Sequence, residues 1–309
     1  MSHQIPLTPE SIADLPHPDD GTSQVAPDLA YRRLAMVNVA FYGHPDAGDR
    51  RWVLIDTGVP GLTHRIERAA AERFGEGARP AAIVLTHGHF DHTGHLENLA
   101  EKWDAPIYAH ELELHYLDGS AAYPPPDPAV GGGLMPLLAP LFPRGPIDVT
   151  RWLRPLPSDG SIPEMPGWRW LHTPGHSVGH ISLWRETDRT IVVGDAFITT
   201  NQESAYAVAT QAEEVHGPPT YFTADWQAAR TSVQTLAALD PELVVTGHGR
   251  AMRGEAMQQA LRKLAREFDH IAVPENGRYV QHPARAADGS AYAGAVLVAP
   301  SDSPNDQYR

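Results

Sequence analysis

The sequence predicts an α/β fold in which two β-sheets are covered by helices. Short apolar segments typical of buried strands recur along the chain, and helical segments lie between them. The strand segments form two sets, separated by a stretch rich in proline and glycine. Because no repeat of fixed period is found, the pattern favours two packed sheets over a solenoid.

The first set contains the more regular pattern of strands and helices. Pro- and Asp-rich residues 1–30 predict an irregular N-terminal arm before it. Strands are predicted at residues 34–42, 52–55, 81–85 and 106–109. Helices are predicted at residues 62–74 (ended by Gly75), 93–103 and 110–117.

Residues 119–167 have a different composition. Prolines and the run Gly131-Gly132-Gly133 alternate with leucine, methionine and phenylalanine. A long apolar segment of this kind within a compact domain predicts a lid or pocket wall. A surface helix packed on the core and a dimer contact are the alternatives.

The second set completes a domain predicted to span residues 31–273. Its strands are predicted at residues 168–171, 181–184, 190–193 and 243–245, and its helices at residues 225–239 and 255–268. The tail, residues 274–309, has only weak periodicity.

Composition excludes several classes of function. The net charge of -14 disfavours a nucleic-acid partner, whose phosphates attract basic surfaces. The chain has no cysteine, so a metal would be held by His, Asp or Glu. We expect no secretory signal, because residues 1–20 contain prolines and acidic residues and no apolar run, and we expect no membrane span, because no apolar run is long enough. We therefore expect a cytoplasmic protein that contacts no membrane.

The segment Thr86–His92 contains ligand-type residues in the pattern H-x-H-x-D-H. It lies between a predicted strand and a predicted helix, where open α/β sheets place their ligands. His87 and His89 alternate along extended chain and can point the same way, whereas Asp91 and His92 follow as the helix begins. Imidazole and carboxylate bind zinc and similar ions, so the segment predicts a metal site with room for two ions.

Three further ligand-type residues follow predicted strands. His176 lies in Thr173-Pro174-Gly175-His176, Asp195 follows Gly194, and His248 lies between two glycines. Each alone is an ordinary loop residue or cap. Together with the histidine segment, their shared position at strand ends predicts one site.

These motifs, with Leu54-Ile55-Asp56-Thr57-Gly58, resemble those of the metallo-β-lactamase-fold hydrolases, in particular the glyoxalase II-like and lactonase-like branch. The resemblance covers about residues 34–270 and implies an αββα four-layer sandwich. It implies that His87, His89 and His176 hold one metal. Asp91, His92 and His248 would hold a second, Asp195 would bridge the two, and Asp56 would orient ligands.

The function that this resemblance implies is hydrolysis. A hydroxide shared by two zinc ions, or by manganese or iron, would attack the carbonyl of an ester, thioester or lactone. Asp91 and Asp195 would be the catalytic carboxylates. One alternative is a mononuclear iron oxygenase of the persulfide dioxygenase type, and another is a non-catalytic metal-binding or sensing protein.

The expected partner is a small-molecule substrate with an apolar acyl portion, since the 119–167 segment is apolar. Family lactonases that act on acyl-homoserine lactones carry a tyrosine just after the bridging aspartate, where this chain has Ala196-Phe197-Ile198. Tyr206, Tyr221, Phe222 and Trp226 are candidates for contact with substrate or for packing. A homodimer is compatible with the sequence. We predict positioning or structural roles, not metal binding, for His180 and His95.

Overall fold

In a computed structural model of the protein, residues 5–14, 21–132, 134–203 and 214–292 are described. Tyr206 lies outside the described residues, as do residues 1–4 and 15–20 of the expected arm and residues 293–309 of the expected tail.

Two large sheets form the centre of the protein. The strands of the described residues are β1 (Ile5–Pro6), β2 (Ser23–Ala26), β3 (Leu29–Leu34), β4 (Val37–Tyr42), β5 (Val53–Ile55), β6 (Ala82–Val84), β7 (Ile107–Ala109), β8 (Leu153–Pro155), β9 (Trp168–His172), β10 (Ile181–Arg185), β11 (Thr190–Gly194), β12 (Glu214–Val215), β13 (Leu243–Thr246) and β14 (Met252–Arg253). Within the described ranges, the first sheet has seven strands in the order β2-β3-β4-β5-β6-β7-β8. The second has five, in the order β14-β13-β11-β10-β9, and β1 pairs separately with β12.

Helices cover the outer faces of both sheets. The α-helices of the described residues are α1 (Thr63–Phe74), α2 (Phe90–Thr93), α3 (Leu96–Trp103), α4 (Leu114–Leu117), α5 (Leu134–Leu138), α6 (Trp226–Ala238), α7 (Gly254–Arg266), α8 (Phe268–Ile271) and α9 (Arg278–Gln281). Short 3-10 turns lie at Pro9–Ser11, Glu111–Glu113, Ala139–Leu141, Glu186–Asp188 and Ser290–Tyr292.

Three apolar clusters hold the layers together. Val53 and Val84 of the first sheet meet Leu183 and Val192 of the second in the cluster between the sheets. A second cluster packs α1 and α3 on the outer face of the first sheet. The buried residues of α1 are Ile66, Ala69, Ala70, Arg73 and Phe74, which have the spacing of one helix face.

The third cluster packs α6 and α7 on the outer face of the second sheet, where Val233 and Leu261 contact the sheet cluster that contains Ile191 and Val244. The order of layers is therefore helix, sheet, sheet, helix. The predicted four-layer αββα sandwich is confirmed.

The direction of the strands sets where the chain can build a site. Strands β5, β6, β7 and β8 are parallel to one another, and β11 is parallel to β13. Loops that leave the carboxyl ends of parallel strands share one edge of a sheet. The ligand-type residues found in the sequence lie in the loops, or in the short helix α2, at these edges.

The structure differs from the predicted elements in the first half of the chain. The expected irregular arm contains β2, which pairs with β3 because Val25 and Ala26 are buried between the sheets. The predicted strand 34–42 is the second half of a hairpin that turns at Ala35, whose φ is 57°. The predicted helix 93–103 starts at Leu96, after the separate turn α2.

Two other segments are better integrated than expected. The 119–167 segment includes β8, which pairs with β7 at the edge of the seven-stranded sheet. In the tail, Tyr279 and Ala284 join the outer cluster of the second sheet, and the Arg278 amide donates to Asp127 of the 119–167 segment at 2.6 Å. The boundaries at residues 31 and 273 stay predictions.

Among the described helices, none has both the length and the apolar character needed to cross a membrane.

Candidate metal centre

The candidate site lies where the carboxyl edges of the two sheets meet. His87 and His89 follow β6, and Asp91 and His92 lie in α2, directly after them. His176 follows β9, Asp195 follows β11, and His248 follows β13. All seven are buried, so the fold removes from water a set of side chains that normally face it.

One ligand group consists of His87, His89 and His176. The candidate ligand atoms of these three histidines lie within 4.8 Å of one another, and His89 Nδ1 is 2.9 Å from His176 Nε2. Burial lowers the pKa of all three, that of His89 to about 3. Neutral imidazoles have a free lone pair, which is the form that binds metals.

A second group consists of Asp91, His92 and His248, again with candidate ligand atoms within 4.8 Å. Burial alone would lower the pKa of His92, but the Asp195 and Asp56 carboxylates raise it well above its usual range. The pKa of His248 is raised in the same way, mainly by Asp195. Burial raises the pKa of Asp91, although the neighbouring His92 and His248 oppose that shift.

Asp195 lies between the two groups. Its Oδ2 is 3.1 Å from His248 Nε2 and 3.4 Å from His176 Nε2, and its Oδ1 is 3.6 Å from His92 Nε2. Burial would raise the pKa of Asp195, but His248 and His92 hold it well below its usual range. One carboxylate therefore contacts a member of each group.

Three buried atoms at this point have no hydrogen-bond partner among the described residues: His87 Nε2, His92 Nε2 and Asp195 Oδ1. Leaving a buried polar atom unsatisfied costs about 1–3 kcal/mol. These atoms belong to the two groups and to the carboxylate between them, and imidazole and carboxylate are the donors that zinc, manganese and iron accept. The residues present therefore fit bound divalent metal ions.

Asp56 lies beside the second group. It accepts hydrogen bonds from the Thr86 amide at Oδ1 (2.8 Å) and from the Thr86 hydroxyl at Oδ2 (2.8 Å). Its Oδ2 is also 2.8 Å from His92 Nδ1. A carboxylate at Nδ1 keeps the proton there and leaves Nε2 free to face the site.

Other ligand-type side chains are oriented by neighbours. His248 Nδ1 is 2.7 Å from the Met36 carbonyl oxygen, which directs Nε2 toward Asp195. The Asp195 amide donates to His180 Nε2 at 2.9 Å. His95 accepts from the Leu62 amide at 2.9 Å. His180 and His95 belong to neither ligand group among the described residues.

Gly247 allows the loop of His248 to approach Asp195 closely. A Cβ atom at this position would lie 2.0 Å from Asp195 Oδ1 and 2.9 Å from His92 Cε1. Any larger residue would displace the carboxylate, so glycine is required here for space.

The remaining histidines lie elsewhere. His110 stacks on His172 with ring centroids 4.3 Å apart, and burial lowers the pKa of His110 to about 4. His216 is buried and its Nδ1 lies 3.0 Å from the Gly217 carbonyl oxygen. Within the described ranges, none of these three belongs to a ligand group.

Three phenylalanines, Phe90, Phe142 and Phe222, form an apolar wall beside the first group. The Phe222 ring is 5.0 Å from the His89 ring, and Phe90 stacks on Phe142 at 5.0 Å. Tyr221 is buried behind this wall with Val130, Met135 and Ala139. Trp226 packs in the outer cluster of the second sheet and does not belong to the wall.

On the outer side of the 119–167 segment, Leu137 and Leu141 are 68% and 79% exposed. The segment therefore presents apolar side chains both to the candidate site and to solvent.

Two further residues beside the first group, Glu113 and Tyr123, are not among the site residues predicted from the sequence. Glu113 follows β7 closely, and the Tyr123 ring lies 4.4 Å from the His89 ring. The rule that found the other residues, a polar side chain just after a buried strand, also applies to the segment after Ala109. Glu113 could not be singled out because His110 and Glu111 also follow this strand. Position after a strand does not show which of the three residues enters the site.

The comparisons with known proteins agree with this geometry. Residues 32–248 match the family model of the metallo-beta-lactamase superfamily. The chain is 45% identical over 238 residues to the probable metallo-hydrolase YflN of Bacillus subtilis (strain 168), covering 77% of this chain and 90% of that protein. It is 30% identical to the probable metallo-hydrolase YybB of the same organism over 63% of this chain and 74% of that protein.

Among solved structures, the fold is similar to a beta-lactamase domain protein from Burkholderia ambifaria, with a TM-score of 0.55 and 20% identity over 86% of this chain and 80% of that one. It is also similar to a metallo-beta-lactamase family protein from Thermus thermophilus, with a TM-score of 0.53 and 20% identity, covering 80% of this chain and 81% of that one. The family model spans most of the chain and includes every residue of the two ligand groups. The chain therefore belongs to the metallo-beta-lactamase superfamily.

Proposed function

We propose that the protein is a hydrolase with two metal ions, which cleaves an ester, thioester or lactone with an apolar acyl portion. The description of YflN and YybB as probable metallo-hydrolases supports the hydrolase class. The observation that carries the proposal is the position of Asp195, which lies within 3.6 Å of a histidine from each ligand group. A single carboxylate that contacts both groups suits two neighbouring ions.

Two divalent ions, zinc or alternatively manganese or iron, would supply a water of lowered pKa and polarise the substrate carbonyl. His87, His89 and His176 would hold one ion through neutral nitrogens, and Asp91, His92 and His248 the other. Asp195 would contact both and keep their spacing. Asp91, whose pKa is raised by burial, would also hold or pass on a proton at a carboxylate oxygen.

The surroundings of His89 support an apolar acyl portion in the substrate. Phe222, Phe90 and Phe142 place aromatic carbon beside the first group, and the leucines of the 119–167 segment extend that surface outward. Such a wall stabilises a neutral chain and offers no cation to a polyanionic substrate. Cytoplasmic localisation, a homodimer and the absence of a nucleic-acid partner stay predictions.

The test is a reconstitution assay. Metal-depleted protein would be given zinc, manganese or iron and assayed against esters, thioesters and lactones with acyl chains of increasing length. We expect metal to restore hydrolysis and longer acyl chains to be preferred.

The test variant is His248→Ala, in the second group. Its matched control is His172→Ala, which removes an exposed histidine outside both groups. We expect only His248→Ala to lose hydrolysis. Oxygen consumption with a persulfide in place of hydrolysis would move the assignment to the iron oxygenase, and metal binding without any turnover would favour a sensing role.

A further inference from the structure

A buried carboxylate outside the ligand groups joins the two loops of the first group. Glu113 ends the 3-10 turn that follows β7 and is 1% exposed. A carboxylate this deeply buried is stabilised only when its oxygens accept hydrogen bonds.

Each oxygen of Glu113 accepts from a different ligand loop. Oε2 accepts from the Gly88 amide at 3.0 Å, between His87 and His89. Oε1 accepts from the Ser177 hydroxyl at 2.7 Å and the Gly179 amide at 2.8 Å, in the loop that contains His176. One side chain therefore contacts both loops that supply the first group.

Tyr123 completes this arrangement from the 119–167 segment. Its hydroxyl donates to Glu113 Oε2, and the Gly88 amide also donates to the Tyr123 oxygen at 2.9 Å. The ring packs on His89. The contact thus connects the histidine loop to the start of the apolar segment.

Two glycines show how closely the loops approach Glu113. A Cβ atom at Gly88 would lie 2.6 Å from the Tyr123 hydroxyl oxygen, and one at Gly179 would lie 2.7 Å from Glu113 Cγ. Neither glycine has a positive φ. Both are therefore needed for space around the Glu113–Tyr123 pair, not for an unusual backbone conformation.

The two loops come from different sheets. The loop of His87 and His89 leaves β6 of the seven-stranded sheet, and the loop of His176 leaves β9 of the five-stranded sheet. Backbone pairing within one sheet cannot fix the distance between them, and a backbone bond between the sheets, from the Ile181 amide to the Thr86 carbonyl oxygen at 2.9 Å, joins only the ends of the two loops. Among the described residues, Glu113 is hydrogen-bonded to both loops directly.

We propose that Glu113 is a positioning residue that holds His87, His89 and His176 in their binding arrangement before a metal ion arrives. The inference rests on the proposed metal-binding function. Hydrogen-bonded carboxylates around metal ligands typically change metal affinity by about 10- to 100-fold when they are substituted. Glu113 has no hydrogen bond to Asp91, His92 or His248 in the described structure, so the effect should be confined to the first group.

The test measures metal affinity at each group separately. Zinc binding would be titrated in two backgrounds, His248→Ala to report on the first group and His89→Ala to report on the second. Into each background goes Glu113→Gln, whose amide nitrogen cannot accept from the donors it faces. The matched control is Glu111→Gln, the same change at an exposed residue of the same turn.

We expect Glu113→Gln to weaken zinc binding by about 10- to 100-fold in the His248→Ala background. In the His89→Ala background it should change binding no more than the Glu111→Gln control does. Equal losses in both backgrounds, or no loss in the first, would overturn the proposal.

If Glu113→Gln does not fold, Ser177→Ala decides the question, because it removes one donor and leaves the carboxylate. Selective weakening of the first group by this variant supports the inference, and unchanged affinity overturns it. If neither His248→Ala nor His89→Ala binds zinc while Glu113 is unchanged, the proposed function itself fails. That result differs from a loss of zinc affinity confined to the first group.

Discussion

The two ligand groups differ in charge and in the residues that support them. His87, His89 and His176 are three imidazoles whose pKa is lowered by burial, and they come from loops of both sheets. Asp91, His92 and His248 include a carboxylate, and their imidazoles have a raised pKa because Asp195 lies beside them. Burial therefore sets the direction of the imidazole pKa shifts in the first group, whereas for His92 and His248 the neighbouring carboxylates outweigh burial.

The supporting residues differ in the same way. The first group is held by hydrogen bonds that Glu113 accepts from backbone amides and a hydroxyl of its loops. In the second group, Asp56 and the Met36 carbonyl contact the Nδ1 atoms of His92 and His248 directly. Substitutions in the two supports should therefore affect metal binding at different groups.

The largest effect is expected at Asp195, the residue that the groups share. Asp195→Ala removes the charge that both groups face, so both metal ions should bind more weakly. A metal ion that polarises the substrate carbonyl stabilises the transition state by several kcal/mol, so its loss should lower kcat/KM by on the order of 1000-fold. Elemental analysis and hydrolysis rates check this. A variant that keeps two metals and full activity would show that neither group depends on the shared carboxylate.

A smaller and selective effect is expected at Asp56. In Asp56→Asn the amide nitrogen would donate to His92 Nδ1 and shift the proton to Nε2, the atom that faces the site. Zinc binding at the second group should weaken by about 10- to 100-fold, and binding at the first group should stay near its original value. Titrations in the same two backgrounds used for Glu113 check this. If Asp56→Asn and Glu113→Gln weaken the same group, the two supports are not independent.

A more modest effect is expected at Phe222, beside the first group. Phe222→Ala removes aromatic surface next to His89 and should raise KM about tenfold for long acyl chains and little for acetyl substrates. Steady-state kinetics across chain lengths measures this, with Leu137→Ala as the control on the exposed side. An equal change for acetyl and octanoyl substrates would show that the wall does not bind the acyl chain.

The smallest effect concerns His110, a buried histidine outside both groups. Burial lowers its pKa to about 4, below the usual value of 6.5, so the unfolded chain binds the proton more tightly. Its contribution to stability is present above pH 6.5 and lost as the pH falls toward 4. NMR titration of the His110 ring measures the pKa, and the acid-induced loss of thermal stability should shrink in His110→Gln. A midpoint near 6.5 would contradict the role of burial in lowering the histidine pKa values.

Much of the fold and the site could be predicted from the sequence because both depend on local patterns. Apolar strands such as Ala82–Val84 are evident from composition, and glycine-flanked residues such as His248 mark the strand ends. The helix face of α1 follows directly from its spacing. Family resemblance then supplied the grouping of the ligands, which no single segment contains.

What could not be predicted depends on contacts between distant segments. Strand β8 lies among prolines, and only pairing with β7 makes it a strand. Ser23–Ala26 becomes a strand because the two sheets bury Val25 and Ala26. Glu113 has a role only once β6 and β9 bring their loops to opposite oxygens of its carboxylate. Local sequence carries no information about contacts of this kind.

The most direct test of two metal ions is the binding stoichiometry of the metal-depleted wild-type protein, measured by zinc titration with elemental analysis of the product. We predict two zinc ions per chain, and one in His248→Ala. One ion per wild-type chain, with no change in His248→Ala, would contradict the two-metal centre, because the second group would then bind no metal ion.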